Sequence, residues 1–116
     1  MQLRLESPSI LVYSRPVDFR KSIDGLLGVV VSQLGVDPCT SVFVFYNRAR
    51  DRVKVLAWHK NGFVLLLKRL ERGKYFGCGE EADRMSATPE QLGWLLAGLD
   101  WINMSLWGEL EFHDFQ

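Results

Sequence analysis

Two runs of β-forming residues, RVKVLAWH (52–59) and FVLLLKRL (63–70), stand a few residues apart with the dipeptide Asn61-Gly62 between them. Asn-Gly suits a two-residue hairpin turn, because both turn positions need positive φ and these residue types accept it. The feature fixes a long antiparallel hairpin as the centre of whatever fold forms. With Lys60 opposite Phe63, Trp58 is expected to face Leu65, Leu56 to face Leu67, and Lys54 to face Arg69 on one side of the ribbon. That side is apolar near the turn and basic at the far end.

A third apolar run, Ser41 to Tyr46, precedes the hairpin and is joined to it by the polar loop Asn47 to Asp51, which predicts a three-stranded antiparallel meander. Upstream, Phe19, Ile23, Leu26, Leu27, Val30 and Leu34 follow a helical period, with Asp18 as expected N-cap and Gly35 at the stop. Downstream, Thr88-Pro89-Glu90-Gln91 is a helix start with a capping box and proline at the first helical position, leading into Leu92, Leu95, Leu96 and Leu99. Ile10 to Tyr13 reads as a short strand or lead-in, and the GCGEEADRM segment reads as a loop. The expectation is one α+β domain over residues 1–102, a meander of three or more strands packed by two helices. The strand-like segment near Ile10 and residues near Met85 are candidates to extend the sheet. An acidic extension over 103–116 follows.

At 116 residues and 47% hydrophobic content the chain is large enough for one core and too small for two. Cys39 and Cys78, far apart and with no secretory signal before them, fit a reducing compartment better than a disulfide framework. No apolar run approaches the roughly 20 residues that span a bilayer, so the expected location is the cytoplasm. Neither a metal-ligand spacing nor a nucleophile motif is present, so no cofactor, metal or catalytic residue is expected. His59 is the residue a small hydrolase would have to use, and it comes without a supporting motif.

The formal net charge of zero conceals a division. Residues 48–74 carry nine bases against two acids, a net of +7, and residues 80–116 carry eight acids against Arg84, a net of −7. The meander gathers Arg48, Arg50, Arg52, Lys54 and Arg69 at one end, with Lys68, Arg72 and Lys74 adjoining and Tyr46, Tyr75 and Phe76 close in sequence. Cations that neutralise phosphates, beside aromatics that can stack on bases, are what a nucleic-acid contact needs. The same pattern also suits a basic patch that receives an acidic protein partner, or the chain's own acidic tail, and spacing alone does not separate the two.

The segments VDFRKSIDGL (17–26), LGVDP (34–38), FVFYNRARDRVKVLAWHKNGF (43–63), LLLKRLERGKYF (65–76) and QLGWLLAGLDW (91–101) together resemble the small accessory protein of IS-sixty-six-type bacterial insertion sequences. That protein is also called TnpB, and is distinct from the much longer RNA-guided nuclease of that name. The resemblance implies a non-catalytic role in transposition, a form of DNA recombination, beside a larger transposase that carries the strand-transfer chemistry. Binding to DNA at the element's ends, assembly with that transposase and self-association are further expectations. Arg20, Lys21, Arg48, Arg52, Lys54, Lys68, Arg69, Arg72 and Lys74 fall on matching basic positions. After Phe76 the family usually continues with a tryptophan-proline pair, where this chain has GCGEEADRM, and the segment from Asn103 onward lies outside the resemblance.

Overall fold

A computed structural model describes residues 9–104, so the greater part of the expected acidic extension lies outside the described residues. Five strands form one mixed sheet: β1 (Ile10–Tyr13), β2 (Val42–Tyr46), β3 (Arg52–His59), β4 (Gly62–Arg69) and β5 (Arg84–Ala87). The helices are α1 (Ile23–Val29), which runs on as a π-helical turn over Val30–Leu34, and α2 (Pro89–Leu96). Residues 101–104 are again helical.

The strand order is β4-β3-β2-β1-β5. The expected meander β2-β3-β4 is present, and both candidate extensions join it. β1 lies parallel to β2, with Leu11 opposite Phe43, and β5 lies antiparallel to β1, with Leu11 opposite Ser86. Parallel neighbours need a crossover connection, and α1 supplies it.

Alternation along the strands sends side chains to two separate cores. Val42, Val44, Tyr46, Val53, Val55 and Ala57 pack with Leu95 and Trp101 on the α2 side. Phe43, Phe45 and Leu56 pack with Leu26, Val30 and Leu34 on the α1 side. β2 is covered on both faces, and every one of its five residues is buried. Full burial of Phe43 and Phe45 contributes about 2–3 kcal/mol each.

Two expectations about the elements are corrected. The hairpin pairs Trp58 with Phe63, Leu56 with Leu65, Lys54 with Leu67 and Arg52 with Arg69, so the turn sits one residue earlier, on Lys60-Asn61. Lys60 takes a φ of 53° to make that turn, a conformation that costs a residue with a Cβ about 1–2 kcal/mol. What offsets it is the edge-on contact of the Trp58 and Phe63 rings, 5.0 Å apart, which the expected register would have separated.

α1 begins at Ile23 with Ser22 as N-cap, four residues later than the apolar spacing suggests. Asp18 is engaged elsewhere: its carboxylate accepts from the Arg20 N–H at 2.9 Å and from the Arg20 guanidinium, while its carbonyl accepts from the Lys21 N–H. The Phe19 and Lys21 carbonyls point to the Lys54 ammonium instead of to helical N–H groups. At the other end of the helical segment Gly35 closes it in the expected way, with φ of 64°. The capping box of α2 is complete, with the Gln91 N–H donating to Thr88 Oγ1 and the Thr88 N–H to Gln91 Oε1.

Candidate nucleic-acid interface

The loop between β2 and β3 is tied from within. Asn47 Oδ1 accepts from the backbone N–H groups of Asp51 (3.1 Å) and Arg52 (3.0 Å), and Asn47 Nδ2 donates to the Asp51 carboxylate at 2.6 Å. Arg50 adopts φ of 55°, held by its N–H to the Asn47 carbonyl and by its own carbonyl, which accepts from the Tyr75 N–H at 2.7 Å. The Leu70 N–H donates to the Asp51 carbonyl. Leu70 and Tyr75 thereby anchor the intervening turn against the loop, with Gly73 at φ of 76°. The consequence is one clamped surface from which Arg48, Arg50, Arg52, Arg72 and Lys74 are all exposed.

Asp51 lies near two of these cations, Arg52 and Lys74. The hydrogen bond from Asn47, with Arg52 and Lys74 nearby, holds its carboxyl below the usual carboxylate range. Among the described residues, none of the five exposed cations has a hydrogen bond or ion pair from its side chain. Their charge is available.

The other expected site residues are placed differently. Lys54 is only 9% exposed; its ammonium donates to the carbonyls of Phe19 (2.9 Å) and Lys21 (2.6 Å) and lies 4.9 Å from the centre of the Phe19 ring. It fastens the segment before α1 to β3 and is not on the surface. Tyr46 and Tyr75 are buried, with ring centres 6.4 Å apart, and their hydroxyls donate to the carbonyls of Phe76 and Lys68. Burial pushes the Tyr46 hydroxyl well above its ordinary pKa. Neither ring can receive a base. Lys68 donates to the carbonyl of Leu96 at the end of α2, and Arg69 is exposed but paired with Glu71 at 2.9 Å.

One of the three aromatics named from the sequence is exposed, and one further feature, a cleft, was not singled out. Phe76, next to buried Tyr75, is 46% exposed and is the aromatic ring presented at this end of the sheet. A cleft of about 330 Å³ lies between the 47–51 loop and residues 77–80, lined by Ser14, Pro16, Arg48, Arg50, Gly77 and Glu80. Simple alternation after Tyr75 could have turned Phe76 outward; nothing local brings Ser14 to Gly77.

Over residues 8–105 the chain matches the family described as IS66 Orf2 like protein. The chain belongs to that family. The IS66 Orf2 family supports an accessory role associated with transposition. Among curated relatives, an uncharacterised protein of Sinorhizobium fredii (strain NBRC 101917 / NGR234), y4jC, is 39% identical over 93 residues, covering 79% of this chain and 80% of its own. A second from the same strain, y4hO, is 36% identical over 61 residues, 53% of each chain. No solved structure matches. Among the described residues of this IS66 Orf2-like protein no helix is long and apolar enough to cross a membrane, and no cluster of His, Cys, Asp and Glu is suited to a metal ion. Cys39 and Cys78 are both free.

Proposed function

We propose that this IS66 Orf2-like protein assists transposition by holding DNA through its backbone, beside a separate transposase, with Arg48, Arg50, Arg52, Arg72 and Lys74 on phosphates and Phe76 at the margin. The observation that carries the reading is that these five cations are exposed and, among the described residues, make no side-chain hydrogen bond or ion pair, on loops and a strand end clamped to one another. Cations release phosphate counterions on binding, and a backbone already clamped leaves only side-chain freedom to be lost. The test compares binding of a labelled duplex by wild type, Arg48→Ala/Arg50→Ala and Lys60→Ala. Lys60 lies at the opposite end of β3, about 25 Å away by strand geometry. The double variant is expected to lose affinity at least tenfold and Lys60→Ala to retain it; equal behaviour of the two variants overturns the reading.

A second reading, that the basic end receives the chain's own acidic segment, is favoured by one contact. Trp101 Nε1 donates to the Phe76 carbonyl at 3.0 Å, which ties the chain shortly before its acidic segment to a residue two positions from Lys74. Removing residues 105–116 tightens DNA binding under this reading and leaves it unchanged if the segment does not compete.

A further inference from the structure

The two edges of the sheet are unlike. β5 is four residues long, and its Arg84 is tied to the Leu34 carbonyl and to Asp83. β4 is eight residues long, GFVLLLKR, with no proline, and its outer side has no strand beside it among the described residues. Such an edge presents a row of backbone N–H and C=O groups and is normally guarded by charge, proline or a bulge. Its two cations do not serve as guards, because Lys68 is bonded to the Leu96 carbonyl and Arg69 to Glu71.

The side chains next to this edge are apolar on both faces. Leu67, 60% exposed, lies on the α1 face, and Leu66, 38% exposed, on the α2 face. Beside Leu66 an apolar groove of about 170 Å³ is lined by Val64, Leu92 and Leu96. A docked helix covers one face of a sheet; an added strand places side chains on both. The geometry therefore points to a strand, and to one that is apolar on both faces at mirrored positions.

We propose that β4 pairs antiparallel with β4 of a second copy, about a two-fold axis through Leu66, joining two sheets into one of ten strands. A two-fold perpendicular to the sheet keeps each face continuous, which requires even positions to meet even and odd to meet odd. With Leu66 opposite its own mate, Leu65 meets Leu67, Val64 meets Lys68 and Phe63 meets Arg69. No like charges meet, and each cation lies against an apolar neighbour. A parallel arrangement would instead align Lys68 with Lys68 and Arg69 with Arg69, which destabilises a sheet. Pairing one strand edge covers less than the roughly 1,200–2,000 Å² of a standard stable interface, so the dimer forms in a concentration-dependent way.

The experiment combines mass and cross-linking on the full chain. Sedimentation over a concentration series is expected to move wild type from 13.3 kDa toward twice that mass. Leu66→Lys, which puts like charges face to face on the axis, stays monomeric with its circular dichroism and melting unchanged. In a Cys39→Ser background, Leu66→Cys forms a disulfide-linked dimer under mild oxidation, since directly opposed Cα atoms lie about 4.5–5.5 Å apart, within disulfide reach. Leu67→Cys, two positions from its own mate, cross-links far more slowly. Wild type that is monomeric at every concentration overturns the proposal, as does a dimer that persists in folded Leu66→Lys or equal cross-linking at the two cysteine positions.

Discussion

Replacing Lys54 by methionine separates the structural role found for this lysine from the phosphate contact its sequence position suggests. Methionine keeps most of the buried stem and removes only the ammonium. That ammonium donates to the Phe19 and Lys21 carbonyls at 2.9 and 2.6 Å and lies over the Phe19 ring. A charged hydrogen bond contributes about 1.5–3 kcal/mol net, and a cation–π contact about 0.5–1 kcal/mol at a partly open site. Against these stands relief from burying a charge, and Lys21, being exposed, lets its carbonyl turn to water. The balance is a loss of about 2–3 kcal/mol, or roughly 10 °C in Tm for a domain of this size. Urea titration and thermal melting read the loss, and duplex binding by the folded variant reads the interface. Stability within about 0.5 kcal/mol of wild type together with weakened DNA binding would refute the reasoning, because it would place Lys54 at the surface.

Thr88→Ala removes one half of the α2 capping box and is expected to cost about 1 kcal/mol, seen as a lower urea midpoint with an unchanged slope. The Asp51 carboxyl is held below its unfolded value, which is about 3.9, so its contribution is complete above that pH and fades as pH falls through the lower folded value. Stability measured from about pH 5 down to about pH 2.5 should therefore fall less steeply in Asp51→Asn than in wild type, and an identical slope would show that the loop clamp does not titrate.

The parts legible in the sequence are those whose causes are local. The α2 start is written in four consecutive residues, and the hairpin in an Asn-Gly flanked by β-forming runs. Register was not legible to the residue, because it is decided by the Trp58–Phe63 ring contact against the left-handed cost at Lys60. The late start of α1 depends on Lys54, more than 30 positions away, which takes the carbonyls a helix would have used. Of the basic cluster, Arg48, Arg50, Arg52, Arg72 and Lys74 are exposed as expected, since they lie in loops or at a strand end. Lys54, Tyr46 and Tyr75 are not, because alternation along β3 and β2, and the Tyr75–Arg50 backbone bond, turn them inward. The sequence pattern marks charge; it does not mark which charge has already found a partner inside the fold.

The salt dependence of duplex binding tests the central claim most directly. Each phosphate contact contributes about −0.9 to the slope of log K against log salt, so five contacts predict a slope near −4.5 and a loss of about 500-fold between 50 and 200 mM salt. Arg48→Ala/Arg50→Ala should bring the slope to about −2.7, a loss of about 40-fold over the same range. A flat slope in wild type, or a double variant whose slope equals that of wild type, would contradict the account.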